Sequence, residues 1–239
     1  DDVLGAKGLG RSVVIAATSD QSPLLRRRCA WTAMSVAEHF RDEGRSVLFL
    51  ADSITRFAEA HREISVAAGE APVLRGYPPS TTHLITSLCE RAGPGTASQG
   101  DISALFSVLV AGSDMDEPIA DILRGVLDGH IVLDRTIAER GRFPAIDVLR
   151  SVSRSLPAAA NQKENAILGL TRKMLGLYDA NAMMIRAGLY TQGSDPEVDK
   201  AIQLHPELES FWAKAEPEDA KRSFSQLELI LRRAGVSLA

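Results

Sequence analysis

Two short uncharged runs set the terms for this chain. Residues 46–51 read SVLFLA and stop at Asp52, and residues 12–17 read SVVIAA. Each has strand length, is rich in β-branched or large apolar residues, and lacks the alternation of a half-wet strand. Both therefore read as buried strands of a sheet. Between them, Ser22-Pro23 offers an N-cap followed by proline at the first helical position. Cys29, Ala33, Val36 and Phe40 then recur at i, i+4, i+7 and i+11 on one helix face, and Gly44 ends it. A helix is expected from about 53 to 68, and another after Pro78-Pro79 with Ser80 as its cap. Residues 102–110 (ISALFSVLV) form a third strand candidate and 129–133 (GHIVL) a fourth, with a short helix opened by Glu117-Pro118 between them. Strands alternating with helices predict an α/β, mostly parallel sheet with residues 46–51 internal.

The texture changes after Arg154. Ile167, Leu170, Met174 and Leu177 keep helical spacing, Asp195-Pro196 opens another helix, and Ala220, Phe224, Leu227, Leu231 and Ala234 mark a last one. The expected division is an α/β domain over 1–155 and an all-α domain over 156–239, joined near residues 155–162. Met174, Met183 and Met184 read as helix core or interface.

Composition narrows the function classes. Of 239 residues, 45% are hydrophobic and 24% charged, which excludes a disordered chain. A net charge of −4 argues against a general polyanion binder, and 5% aromatics are too few for a base-stacking platform, so no nucleic-acid partner is expected. Cys29 and Cys89 form no CxxC pair, and the five histidines form no HxH or HExxH spacing, so no metal cage of that kind is expected. No apolar run approaches the ~20 residues of a bilayer span. Residues 1–10 carry no signal pattern. The chain reads as cytoplasmic.

Among individual residues, Asp52 is the sharpest. A hydrophobic strand ending in acid delivers a carboxylate to the carboxyl edge of a parallel sheet, where ligands bind. In phosphate-loop NTPases such an aspartate belongs to the Mg²⁺ shell, although many strands also end in Asp as a helix cap. GAKGLGRS (5–12) nearly fits GxxxxGK[ST]. It has arginine for lysine, and a strand candidate follows it where a phosphate loop needs a helix, so it reads as a glycine-rich turn. Arg154 at the seam between the halves suits either solvent or a neighbouring subunit's phosphate. Phe143 suits either core or a stacked base.

Taken together, VLFLADSITRFAEAHREIS (47–65), GEAPVLRGYPPS (69–80), DGHIVLDRTIAERGRFPAID (128–147), SVSRS (151–155) and GLYTQGSDPEVDKAI (188–202) resemble the flagellar protein-export ATPases. That family is related to the injectisome ATPases and the rotary ATP synthase subunits. The likeness spans nearly the whole chain in order, and GSDPEVDKAI tilts it to the flagellar branch. It implies a RecA-like core, incomplete here, with an all-α C-terminal domain in a homohexameric ring that hydrolyses ATP with Mg²⁺ and promotes type III export. It implies Asp52 as the magnesium-site aspartate, binding through water, and Arg154 as an arginine finger acting in trans. Phe143 would stack on adenine, Tyr77 would lie near the terminal phosphate on the sheet edge of Asp52, and Arg56 would brace the phosphate-loop region.

Implied partners are a stator-like regulator, a coiled-coil stalk protein and the membrane export gate, with a location at the inner-membrane export apparatus. The family's N-terminal barrel, phosphate loop and catalytic glutamate are expected to precede this segment, so the chain alone is expected to be inactive. An injectisome ATPase and a non-catalytic assembly module are the alternatives.

Overall fold

The computed structural model describes residues 3–214 and 219–236, leaving aside the side chain of Ser113. It falls into two compact units, Asp1–Leu127 and Asp128–Ala239.

In the first unit, α1 (Gly5–Leu9) is followed by α2 (Pro23–Asp42), β1 (Val47–Ala51), α3 (Ile54–Ala67), α4 (Ser80–Cys89), β2 (Ile102–Phe106) and α5 (Pro118–Val126). The Ser22 hydroxyl accepts the amide of Leu25 and Pro23 occupies the first turn of α2, as the Ser-Pro pair predicts. Gly44, at φ 81°, turns the chain after α2 into a conformation that side chains disfavour. The strands β1 and β2 pair in parallel, with Leu50 opposite Leu105 and Phe49 opposite Ala104. One face of this ribbon carries Phe49, Ile102, Ala104 and Phe106. It packs into a core with Met34 of α2, Ile54 and Phe57 of α3, Ile85 and Leu88 of α4, and Ile119 of α5. The other face carries Leu48, Leu50 and Leu105, exposed by 64, 65 and 57%.

Several expectations are corrected here. Residues 12–17 belong to no strand or helix, and Val13 and Val14 are exposed. GAKGLGRS is not a plain turn, because Gly5–Leu9 forms one helical turn. The expected strand over 102–110 stops at Phe106. The strand from Val47 has one partner among the described residues and is not internal. Ser80 is the first residue of α4 rather than its cap. The Glu70 carboxylate accepts its amide at 3.0 Å and its hydroxyl at 2.6 Å instead.

The second unit contains β3 (Gly129–Leu133), α6 (Arg135–Glu139), β4 (Ile146–Ser153), α7 (Gln162–Arg186), α8 (Pro196–Trp212) and α9 (Ala220–Arg233). The strand β4 was not expected, and it runs antiparallel to β3 with an irregularity between His130 and Val132. There the Val132 amide donates to Ser151 Oγ at 3.0 Å in place of a ladder bond. Asn161 caps α7 in a reciprocal box with Glu164, and Asp195 and Asp219 cap α8 and α9. Ile167, Met174, Leu204, Leu208, Leu227 and Leu231 make the helical core, with Val148 and Leu149 of β4 packed on it. Met174 is buried there, whereas Met183 and Met184 are exposed. Among the described residues no helix is long and apolar enough to cross a membrane.

Candidate nucleotide site

Parallel pairing puts the carboxyl ends of β1 and β2 side by side, and backbone bonds continue past both strands. The Ser107 amide donates to the Ala51 carbonyl at 2.9 Å, and the Ile54 amide donates to the Ser107 carbonyl at 3.0 Å. Thr55 Oγ1 accepts the amide of Leu109 at 2.9 Å and lies 3.3 Å from its carbonyl oxygen. These contacts fasten the β2 exit to the first turn of α3, which Ser53 caps by accepting the Arg56 amide. Asp52 projects from this junction, exposed, with Ser107 Oγ donating to its Oδ1 at 2.6 Å. The arrangement is a braced carboxylate at the C-terminal edge of a parallel sheet. Arg56, one turn into α3, is exposed and pairs with Glu59 at 2.9 Å.

Tyr77 sits in the segment between α3 and α4. Its ring is 6% exposed within the core, with the Arg62 guanidinium 5.1 Å from its centre. Burial pushes its hydroxyl above the ordinary phenol range. This segment is clamped at its base by a polar chain. Arg27 of α2 lies 3.2 Å from His61 Nδ1, and His61 Nε2 lies 2.8 Å from Ser80 Oγ and 3.2 Å from Ser65 Oγ. Arginine only donates, and Ser80 Oγ already donates to Glu70, so the network assigns His61 as the neutral Nε2–H tautomer. Burial, and then the nearby Arg27 charge, hold the imidazole below its usual pKa. Bonds from the Ser80 side chain and amide hold the Glu70 carboxyl below its own.

In the second unit Phe143 is 63% exposed in the link between α6 and β4. Arg154 is exposed immediately after β4, where its amide donates to the Asp128 carbonyl at 2.7 Å. Sequence reasoning missed Ser107, the Arg27–His61–Ser80–Glu70 chain and the anchoring of Arg142 beside Phe143. Ser107 was within reach of it, because ending the strand at Phe106 puts a hydroxyl at the same sheet edge as Asp52.

Asp52 is thus an exposed carboxylate braced at the carboxyl edge of a parallel strand pair, in a chain that ends in three helices. A family model described as the ATP synthase alpha/beta family, nucleotide-binding domain, matches residues 1–153, and the chain belongs to that family. A second, described as the T3SS EscN ATPase C-terminal domain, matches residues 160–228. More particularly, the chain is 46% identical over 239 residues to the flagellum-specific ATP synthase of Caulobacter vibrioides, spanning 97% of this chain and 54% of that protein. It is 44% identical over 218 residues to the SPI-2 type 3 secretion system ATPase of Salmonella typhimurium, spanning 91% and 50%. It matches the structure of the assembled ATPase EscN from the enteropathogenic E. coli type III secretion system with a TM-score of 0.90 at 36% identity, over 96% of this chain and 56% of that one. A second EscN structure, in complex with its central stalk EscO, matches with a TM-score of 0.85. The chain thus spans about half the length of the curated relatives it matches.

Proposed function

We propose that this chain works as the C-terminal half of a ring-forming ATPase that promotes flagellar, type III protein export. The observation that carries the reading is Asp52, delivered by β1 to the sheet edge and oriented by Ser107. One carboxylate with one hydroxyl suits a divalent cation that keeps most of its waters, as Mg²⁺ does beside nucleotide phosphates. When bound, Mg²⁺ supplies charge neutralisation at the phosphates. Asp52 holds the hydrated ion in this reading, Arg56 braces the neighbouring phosphate-loop segment and Tyr77 lies near the terminal phosphate. Phe143 stacks on the adenine of ATP, its exposed ring available for it. Arg154 reaches a neighbouring subunit's nucleotide, which accords with its exposure in one chain.

The uncovered leucines of the β1–β2 ribbon support the longer protein. Parallel sheets are covered on both faces, and each of these leucines forgoes a large part of the roughly 2 kcal/mol that full burial of such a side chain is worth. An N-terminal half of the relatives' length provides such a cover. The domain division at 155/156 belongs to this proposal.

The 239 residues contain no GxxxxGK[ST] segment and no GERGRE-type glutamate, so the chain by itself binds phosphate weakly and hydrolyses nothing. Ring neighbours, a stalk protein, a stator-like regulator and the membrane export gate are its partners in this reading, at the cytoplasmic side of the inner membrane. The stalk assignment draws on the EscN–EscO complex. An injectisome role shares every feature of the site. A docking module built on the second unit is the second reading, favoured by the exposed Met183, Met184 and Leu189 around the end of α7.

Phosphate release from ATP tests the proposal. The isolated chain should show no turnover, and the longer ATPase should turn over and lose it with Asp52→Asn. Turnover by the isolated chain that Asp52→Asn abolishes overturns the inactive-fragment reading. Full turnover by the longer Asp52→Asn protein overturns the site.

A further inference from the structure

Phe143 is an exposed ring on a short link, a poor platform for a base unless its backbone is held. The structure holds it from a distance. The Arg142 side chain is only 9% exposed and forms a fork. Its Nη1 donates to the Pro144 carbonyl at 3.3 Å and its Nη2 to the Ile146 carbonyl at 2.9 Å, just beyond the aromatic residue. Its charge pairs with Glu209 on α8, Nε lying 2.8 Å from Oε2 but making no hydrogen bond, and its guanidinium carbon lies 5.5 Å from the centre of the Trp212 ring, at the end of the same helix. The Arg142 amide also donates to the Ile137 carbonyl at 3.3 Å. The residues on both sides of Phe143 are thereby tied to α6, β4 and α8 at once. Glu209 is in turn 3.9 Å from His205 Nε2, whose ring stacks on Tyr178 of α7 at 3.7 Å.

A buried guanidinium is costly unless a carboxylate and further acceptors meet it, and Arg142 has both. Its planar fork allows one side chain to donate to two loop carbonyls while its charge pairs with a helix carboxylate, an arrangement a lysine ammonium cannot make with the same geometry. We propose that Arg142 is a positioning residue that holds the base-stacking Phe143 from helix α8, so that Glu209 and Trp212 set how firmly the nucleotide base is gripped. This rests on the reading of Phe143 as a base-stacking residue. Arg142 acts through Phe143 and touches no phosphate.

The test compares ATP with inorganic tripolyphosphate, which has the charge but no base, by competition against a fluorescent nucleotide on the longer ATPase. Base stacking on an aromatic ring changes affinity by about tenfold, so Phe143→Ala should weaken ATP by that factor and leave tripolyphosphate unchanged. Arg142→Lys and Glu209→Gln should each weaken ATP by about three- to tenfold, again without affecting tripolyphosphate, with the loss falling on KM more than on kcat. Combining Phe143→Ala with Arg142→Lys should be no worse than Phe143→Ala alone. If Phe143→Ala weakens ATP while Arg142→Lys and Glu209→Gln do not, the positioning role is overturned and the stacking role stands. If Phe143→Ala itself changes nothing, the stacking role is wrong and the inference goes with it. Equal losses for ATP and tripolyphosphate, or additive losses in the double variant, show a general structural staple and also overturn it. Should Arg142→Lys fail to fold, Glu209→Gln carries the comparison from α8.

Discussion

Substituting Gly100 by alanine should damage the first unit more than almost any other single methyl group. Gly100 precedes β2, and its amide donates to the Arg41 carbonyl at 2.8 Å while the Val47 amide donates to the Asp101 carbonyl at 2.8 Å. The backbone before β2 therefore lies directly against residues 41–47. A Cβ at Gly100 would overlap the carbonyl carbon and oxygen of Arg45 and come within 2.8 Å of its nitrogen. All three are backbone atoms, so no side-chain rotation relieves them. Overpacking of this kind costs about 1–3 kcal/mol, and the backbone origin of the clash places it at or above the upper end. With a urea slope of about 1–3 kcal/mol/M, the midpoint should fall by about 1–3 M at unchanged slope. Because two units can unfold separately, the readout should be local. Trp31 of α2, edge-on to Phe57 at 6.0 Å, reports the first unit in a Trp212→Phe background. Gly169, exposed inside α7 with nothing within 4 Å of an added Cβ, is the control. Its replacement by alanine should stabilise the second unit by ~0.5–1 kcal/mol, read by Trp212 in a Trp31→Phe background. A Gly100→Ala midpoint within experimental error of the parent would refute the close approach and, with it, the alignment that sets Ser107 beside Asp52.

Three further outcomes are expected. Ser107→Ala should lower turnover of the longer ATPase about tenfold and raise its Mg²⁺ requirement, a milder loss than the ~10²–10³ expected for Asp52→Asn; a Mg²⁺ titration matching the parent would remove Ser107 from the site. Arg154→Ala should cut kcat by ~10³ or more while ATP affinity changes little, since a finger meets charge that develops in the transition state; near-normal turnover would leave Arg154 a surface residue. His61 is buried neutral among Arg27, Ser65, Ser80 and Glu70, with a folded pKa below 6.5. The unfolded chain therefore binds the proton first, and stability should fall as pH drops below about 6.5 until the folded pKa is reached. His61→Gln should flatten that limb in urea titrations at pH 5 to 7, and an unchanged limb would show that His61 does not cause it.

What the sequence disclosed was local. The start of α2 follows from Ser22-Pro23 and that of α8 from Asp195-Pro196, because a cap and a fixed φ act within one turn. Asp52 was legible for the same reason: five apolar residues and then an acid specify a strand and its end. The misses are long-range. Asp52 and Ser107 are 55 positions apart and Arg27 and His61 are 34 apart, so no spacing rule joins them. The strand β4 was hard to read because Leu149 and Arg150 fall out of phase with the period of two kept by Ile146, Val148 and Val152, and its pairing slips beside His130. Backbone ladder bonds and Ser151 hold it there more than side-chain pattern does.

Residues 12–17 show the opposite failure. SVVIAA has the composition of a buried strand, yet it lies outside any sheet with Val13 and Val14 in solvent. Strand propensity in host proteins measures how a side chain packs against cross-strand and facing neighbours, not a preference of the backbone itself. A run like this one therefore encodes an environment, and it becomes a strand when a neighbour supplies the ladder. Leu48, Leu50 and Leu105 make the same point in a strand pair that did form. Their partners across the ribbon are in place, Leu50 opposite Leu105, but the layer above them is not among the described residues. Both patches are apolar, and both lie in the unit that carries Asp52. A chain supplying a facing layer and a pairing edge should bury both and hold the β1 and β2 exits more rigidly. Adding the relatives' N-terminal half should thus protect the amides of residues 12–17 from hydrogen exchange together with that of Ser107. Protection of Ser107 without residues 12–17 would mean that the two patches answer to different neighbours.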